Sequence, residues 1–218
     1  MLIKELNIDK RVIDHWEQSQ ITSLNPVQEK AVRAGVLDGN SVLVCAPTAS
    51  GKTFIAEMAL AKALEQGKRG AYIVPLVALA SEKFKSFKKR FDGIARVGLF
   101  VGKSEEDQRL DSTDILVCTA EKLDSMLRHN TSWVPSLGTV VADEVHLLND
   151  TGRGPTLEVV LTLLRYLKSD IQIVALSATI GNPEELAEWL KAELVKDDWR
   201  PVKLLKGVAV GKDVELHE

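Results

Sequence analysis

From residue 41 onward, short runs of β-branched and other apolar residues alternate with amphipathic stretches of helical length. Few architectures accept that alternation. The runs at 41–46, 71–74, 96–100, 115–119, 139–142 and 171–176 read as strands, and most are continuously apolar rather than apolar at every second position. Strands of that kind are buried on both faces, as happens when helices cover both sides of a sheet. Stretches 52–65, 76–90, 120–129, 156–167 and 183–190 supply the helices, the last with Asn182 as cap and Pro183 in its first turn. The pattern predicts an α/β domain built on a mostly parallel sheet with helices on both faces. Two short helices, 9–18 and 26–35, precede the sheet, the second capped by Asn25 and opened by Pro26. After Trp199 the pattern lapses. Arg200-Pro201 breaks the helical periodicity, 202–205 reads as one extended segment, and a glycine-spaced, charged tail follows. We therefore place the domain at 1–200 and, at 201–218, an interdomain linker or the start of a second domain.

The chemistry begins where the first strand meets a helix. Ala46-Pro47-Thr48-Ala49-Ser50-Gly51-Lys52-Thr53 fits G-x-x-x-x-G-K-[ST], except that Ala46 stands in place of the first glycine. Such a loop wraps phosphates because successive backbone N–H groups and the helix N-terminus point at the anion. Gly51 lets the backbone come close, Lys52 is predicted to bridge the β- and γ-phosphates of ATP, and the Thr53 hydroxyl to ligate Mg²⁺. A helix that merely starts with Gly-Lys-Thr and holds no ligand is the alternative; the flanking strand and helix argue against it. A second acidic element, Asp143-Glu144, ends the strand at 139–142. By itself such a pair is more often a solvated turn, but after a strand and beside a phosphate loop it suits two tasks. Asp143 can hold the hydrated Mg²⁺, and Glu144 can polarise the water that attacks the γ-phosphate.

Composition narrows the rest. With 218 residues, 45% hydrophobic and 27% charged, the chain is long and apolar enough to bury a core and is unlike a disordered tail. No apolar run reaches the length of a membrane span, and residues 1–10 carry charges where a signal peptide needs an apolar stretch, so a cytoplasmic monomer with no membrane partner is expected. Cys45 and Cys118 lie inside apolar strand-like runs and read as core residues. A net charge of −3 argues against a surface that is basic all over, so any nucleic-acid contact must be local. Lys83, Lys85, Lys88, Lys89 and Arg90 form the strongest basic cluster. Ala80, Phe84, Phe87 and Phe91 make a core-facing stripe on the same stretch, so a solvated outer face is favoured for the cations over a DNA patch. Trp16, Trp133, Trp189 and Trp199 show no spacing that implies a stacking ladder and read as packing residues.

Taken with Asp143-Glu144-Val145-His146, these motifs resemble a superfamily 2 helicase with a DExH box. Leu24-Asn25-Pro26-Val27-Gln28 is similar to that family's Q motif, which implies that Gln28 reads the adenine edge through its amide. The 75–80 segment resembles motif Ia, Thr119-Ala120-Glu121-Lys122 motif Ib, and Ser177-Ala178-Thr179 motif III. Segments 121–125, 153–158 and 176–183 look closest to the Ski-like group and its archaeal DNA-repair helicases, a group linked to 3′ to 5′ unwinding. The resemblance implies a RecA-like P-loop fold, ATP and Mg²⁺ as cofactors, and a single nucleic-acid strand as partner, DNA favoured over RNA. It also implies a second RecA-like domain that supplies an arginine to the γ-phosphate; nothing after Pro201 resembles one, so the chain reads as a fragment ending at the interdomain hinge.

Within that resemblance Ser177, Thr179 and His146 are expected to couple nucleotide state to the nucleic-acid side, although each also admits a plain structural role as a turn, cap or packed histidine. The strand path is expected at the loops that follow strands, with Pro75, Leu76, Thr119, Lys122 and Arg153 as contacts. Val77 stands where relatives often carry arginine, which puts one backbone contact in doubt. Two other readings remain: an RNA helicase of the same group, and a nucleotide-sensing binding module with little ATPase.

Overall fold

The structure, a computed structural model, describes residues 1–102, 110–129, 131–202, 206–210 and 213–217. Seven strands form one wholly parallel sheet: β1 (Val42–Cys45), β2 (Arg69–Val74), β3 (Val97–Phe100), β4 (Ile115–Thr119), β5 (Leu137–Ala142), β6 (Gln172–Ser177) and β7 (Glu193–Lys196). Their order is β3-β4-β2-β5-β6-β1-β7. Each strand's apolar run feeds both faces, because successive side chains point to opposite sides. Val42 and Val44 of β1 and Ile115 and Val117 of β4 belong to one core; Leu43, Cys45, Leu116 and Cys118 belong to the other.

The first core is covered by α1 (Lys10–Gln18), α2 (Pro26–Arg33), α3 (Lys52–Glu65) and α4 (Val77–Arg90). The second is covered by α5 (Ala120–His129), α6 (Gly154–Leu167) and α7 (Pro183–Leu190). α3 crosses the middle of its face and is buried from Phe54 through Ala61, so it is apolar nearly all round, with Glu57 as the exception. α6 begins two residues before the predicted start because the chain turns tightly there: a Cβ on Gly154 would stand 2.0 Å from the Leu148 carbonyl oxygen.

Cys45 and Cys118 are buried free thiols, and burial pushes the Cys118 thiol up to about 12. Trp16 and Trp133 pack in the core, whereas Trp189 is exposed on α7 beside Arg165, whose guanidinium donates to its carbonyl at 2.6 Å. A strand not expected from the sequence is β7, which pairs only with β1 at the sheet's edge. Two further strands not expected from the sequence lie within 201–218. β8 (Lys206–Val210) and β9 (Asp213–His217) pair as an antiparallel hairpin, while 203–205 of the predicted extended segment lie outside the described residues. No helix among the described residues is long and apolar enough to cross a membrane.

Candidate nucleotide site

β1 lies one strand in from the edge of the sheet, between β7 and β6, and β5 is the next strand beyond β6. Loops leaving the carboxyl ends of these three strands therefore meet in one crevice, the usual ligand position of an open parallel sheet. The loop after β1 carries two left-handed residues, Ala49 at φ 66° and Gly51 at φ 79°. Gly51 is required twice over: its φ favours glycine, and a Cβ there would meet the Gln28 amide nitrogen at 2.6 Å. Ala46, in place of the family's first glycine, is fully buried, and its N–H donates to the Ser177 carbonyl, tying the loop to the end of β6. Thr48 and Ala49 are exposed at the loop's crest, while Pro47 and Ser50 are buried. The Ser50 hydroxyl has no hydrogen-bond partner.

Lys52 opens α3 and folds back over the loop, donating to the Ala46 carbonyl at 2.6 Å and the Pro47 carbonyl at 3.0 Å. Burial draws its pKa below that of an ordinary lysine; the carboxylates of Glu144 and then Asp143 act the other way. A half-buried ammonium with two negative charges at hand and neutral carbonyls as its direct partners is arranged to receive an anion.

Asp143 follows β5 and is held from three sides. Its N–H donates to the Ile73 carbonyl, one carboxylate oxygen accepts the Glu144 N–H at 3.0 Å, and the other accepts the Tyr72 hydroxyl at 2.6 Å. Tyr72 is buried in β2 against Phe87, and burial, reinforced by Asp143, pushes its hydroxyl well above the usual tyrosine range, so it remains a donor. Glu144 sits at φ 52°, ψ 43°, a left-handed conformation that a non-glycine residue adopts at a cost of about 1–3 kcal/mol and that clusters at functional sites. Its side chain lies 3.4 Å from His146 Nδ1 and, unlike that of Asp143, is open to the crevice.

The donor set suits a magnesium ion. Thr53 Oγ1 and an Asp143 carboxylate oxygen flank the same cation, the Lys83 ammonium, at 3.0 Å and 4.0 Å. A hydroxyl and one carboxylate around a point already filled by positive charge match the protein share of a site whose remaining ligands are water and substrate phosphate. Lys83 corrects the reading of the basic cluster. Two of its five cations face inward, Lys83 onto this site and Arg90 onto buried Glu57 at 3.7 Å, while Lys85, Lys88 and Lys89 are exposed. Both inward cations border the apolar stripe of α4, and long lysine and arginine stems reach past such a stripe to polar groups beneath it.

Other predicted residues fall as follows. Gln28 is buried against the loop. Its amide oxygen accepts the Asn25 N–H at 3.0 Å and its amide nitrogen donates to the Gly51 carbonyl at 3.1 Å, leaving one N–H and one lone pair for a base edge. Asn25 reinforces this, donating to the Ser50 carbonyl at 2.9 Å. His146 lines a cavity with Ile180, Asn182 and Glu185, which joins the acidic box to the segment after β6. Ser177 is fully buried with an unpartnered hydroxyl that is bonded to neither carboxylate, and Thr179 is exposed. Pro75, Glu121, Asp143, Glu144 and Arg153 line one small pocket at the carboxyl ends of β2, β4 and β5. Leu76 and Arg153 are exposed there, but Thr119 and Lys122 are only 6% and 8% exposed. Thr119 ends β4 and Lys122 lies in the first turn of α5, where the Thr119 hydroxyl accepts the Lys122 N–H at 3.4 Å, so neither offers a surface to a strand. The exposed member of that turn is Glu121.

The chain also matches known proteins in sequence and in fold. The DEAD/DEAH box helicase profile matches residues 25–186, from the cap of α2 to α7. The chain is 47% identical over 225 residues to the ATP-dependent DNA helicase Hel308 of Methanocella arvoryzae, a match covering 100% of this chain and 30% of that protein. Against Hel308 of Pyrococcus abyssi it is 48% identical over 210 residues, covering 95% of this chain and 29% of the relative. The chain thus spans less than a third of these relatives. Among solved structures, the DUF1998 helicase MrfA bound to DNA superposes with a TM-score of 0.75 at 26% identity, over 88% of this chain and 30% of that one. The sheet is accordingly a RecA-like helicase sheet. With the profile spanning all but the outermost elements, the chain belongs to the DEAD/DEAH box helicase family.

Proposed function

We propose that this chain is the ATP-holding first RecA-like domain of an ATP-dependent DNA helicase that translocates 3′ to 5′ along a single strand. One observation carries the reading: Lys52, Thr53, Asp143 and Glu144, from the ends of two strands with β6 between them, converge on one crevice with intact chemistry. In this reading Lys52 leaves the carbonyls of Ala46 and Pro47 for the β- and γ-phosphates. Gln28 offers its remaining N–H and lone pair to adenine. Mg²⁺, held by the Thr53 hydroxyl and through water by Asp143, would neutralise charge on the phosphates. Glu144, open to the crevice, orients and polarises the attacking water. His146, with Ser177 and Thr179, lies on the route from that carboxylate to the segment after β6 and transmits the change of nucleotide.

A second RecA-like domain completes the site with a positively charged group. Such a group commonly contributes about 10³-fold or more to phosphoryl transfer. The strand path runs over Pro75, Leu76 and Arg153, whose contacts go to backbone and sugar and are therefore salt-dependent and sequence-blind. The names of the Hel308 relatives favour DNA. The domain is taken to work as a cytoplasmic monomer in its protein.

Phosphate release from Mg-ATP by this chain, with and without single-stranded DNA, tests the division of labour. Turnover is expected to stay at least about 10³-fold below that of a complete helicase in both conditions. Strong DNA stimulation in this chain alone would show that it supplies its own trans charge, contrary to the proposal.

A further inference from the structure

α4 packs Ala80, Phe84 and Phe87 against the core, followed by its C-cap Phe91, and on the same side carries a lysine aimed at the nucleotide crevice. Lys83 is 18% exposed and Asp143 11%, so neither charge is well solvated. The ammonium donates to Thr53 Oγ1 at 3.0 Å and stands 4.0 Å from Asp143 Oδ2, the carboxylate oxygen that also accepts from Tyr72. An ammonium hydrogen-bonded to the hydroxyl takes one of its two lone pairs and fills the space between Thr53 and Asp143 with positive charge. Magnesium binds oxygen at about 2.0–2.1 Å and demands near-octahedral surroundings, so it cannot share that hydroxyl with a cation already bonded to it. Lysine's flexible four-carbon stem lets the ammonium leave without moving the backbone.

We propose that Lys83 is a built-in counter-cation of the metal position, held between Thr53 and Asp143, which Mg²⁺ must displace. Lys83 then sets how much magnesium the nucleotide site requires. While the ammonium is in place it balances the Asp143 carboxylate and keeps the Thr53 hydroxyl and the acidic box in register. With magnesium and nucleotide bound, repulsion between like charges would exclude the Lys83 ammonium from this position. Lys83 is a positioning residue that acts through Thr53 and Asp143. This inference rests on the magnesium assignment made above.

The test is calorimetric titration of ADP into the chain over a series of MgCl₂ concentrations and in EDTA, for wild type, Lys83→Met and Lys85→Met. ADP avoids hydrolysis, and Lys85 is an exposed cation of the same helix. For Lys83→Met, the magnesium concentration giving half of the full gain in ADP affinity is expected to fall roughly tenfold, the scale of one lost hydrogen bond from a charged group. Lys85→Met should match wild type. If Lys83→Met does not give a native circular dichroism spectrum, Lys83→Gln, which is one atom shorter and uncharged but polar, is read in the same titration.

A midpoint for Lys83→Met equal to or above that of wild type overturns the inference while leaving the magnesium assignment standing. The same holds if ADP affinity changes by one factor with and without the metal, which would make Lys83 a phosphate ligand. Wild-type affinity that does not respond to magnesium at all removes the assignment and the inference together.

Discussion

Glu57 illustrates how burial and pairing compete at a single residue. It is 3% exposed in the most buried helix of the molecule, and the Arg90 guanidinium, at 3.7 Å, is too far to hydrogen-bond its orphaned oxygen. Desolvation therefore outweighs the attraction of Arg90 and Lys83, and the carboxyl is pushed from 4.5 up to about 7. Because the folded value lies above the unfolded one, the folded chain holds the proton more tightly. The associated stability is complete below pH 4.5 and is lost as pH rises through about 7. Across that window the shift is equivalent to about 3 kcal/mol. Urea unfolding midpoints measured over the window should fall for wild type and stay flatter by that amount for Glu57→Gln; parallel curves would show that Glu57 does not titrate as argued. Glu57 also held a legible signal that went unused: a carboxylate inside a helix apolar on every side demands a cation from a neighbour. Without it, the periodicity of α4 could not distinguish the two cations bordering its apolar stripe from the three facing water.

Among the elements, those marked by local composition were legible and those fixed by pairing were not. α3, α5 and α7 occupy the predicted spans 52–65, 120–129 and 183–190, marked locally by runs of helix-forming residues and by Pro183 at the start of α7, although Asn182 does not cap that helix with its side chain and donates to Glu185 instead. β7 was missed because an edge strand with one buried residue, Val195, has neither a continuous apolar run nor clear alternation; only its ladder with β1 makes it a strand. The hairpin of β8 and β9 was hidden for the same reason. At the site, the loop and the acidic box were readable since strand-loop-helix order imposes their place. The burial of Thr119 and Lys122 was not, because it depends on how α5 is rotated against β4. Gln172 shows the non-local kind of tie. Its amide oxygen accepts the Thr139 hydroxyl at 2.7 Å, and its nitrogen donates to the carbonyls of Val36 and Asn40 at 2.7 and 2.9 Å. It thereby fastens β5, β6 and the connection before β1 together. Gln172→Leu should lower unfolding free energy by roughly 3 kcal/mol, since it leaves buried partners unpaired. A loss under roughly 0.5 kcal/mol in denaturant titration would mean that water or rearrangement satisfies them.

At the scale of the molecule, a parallel sheet with two helical layers brings loops distant in sequence to one edge. The phosphate loop, the acidic box and the segment after β6 meet there because β1, β6 and β5 are neighbours. The inward lysine of α4 and the tyrosine of β2 complete the arrangement from one side. The account's central claim is that this crevice holds a nucleotide through the Lys52 ammonium. Its most direct test is calorimetric titration of ADP with magnesium into wild type and Lys52→Ala, with thermal unfolding of both chains as a check on folding. The account predicts saturable binding by wild type, and for the variant a weakening of at least roughly tenfold, the loss of one charge-assisted hydrogen bond to phosphate. Equal affinity of a folded Lys52→Ala chain would contradict it.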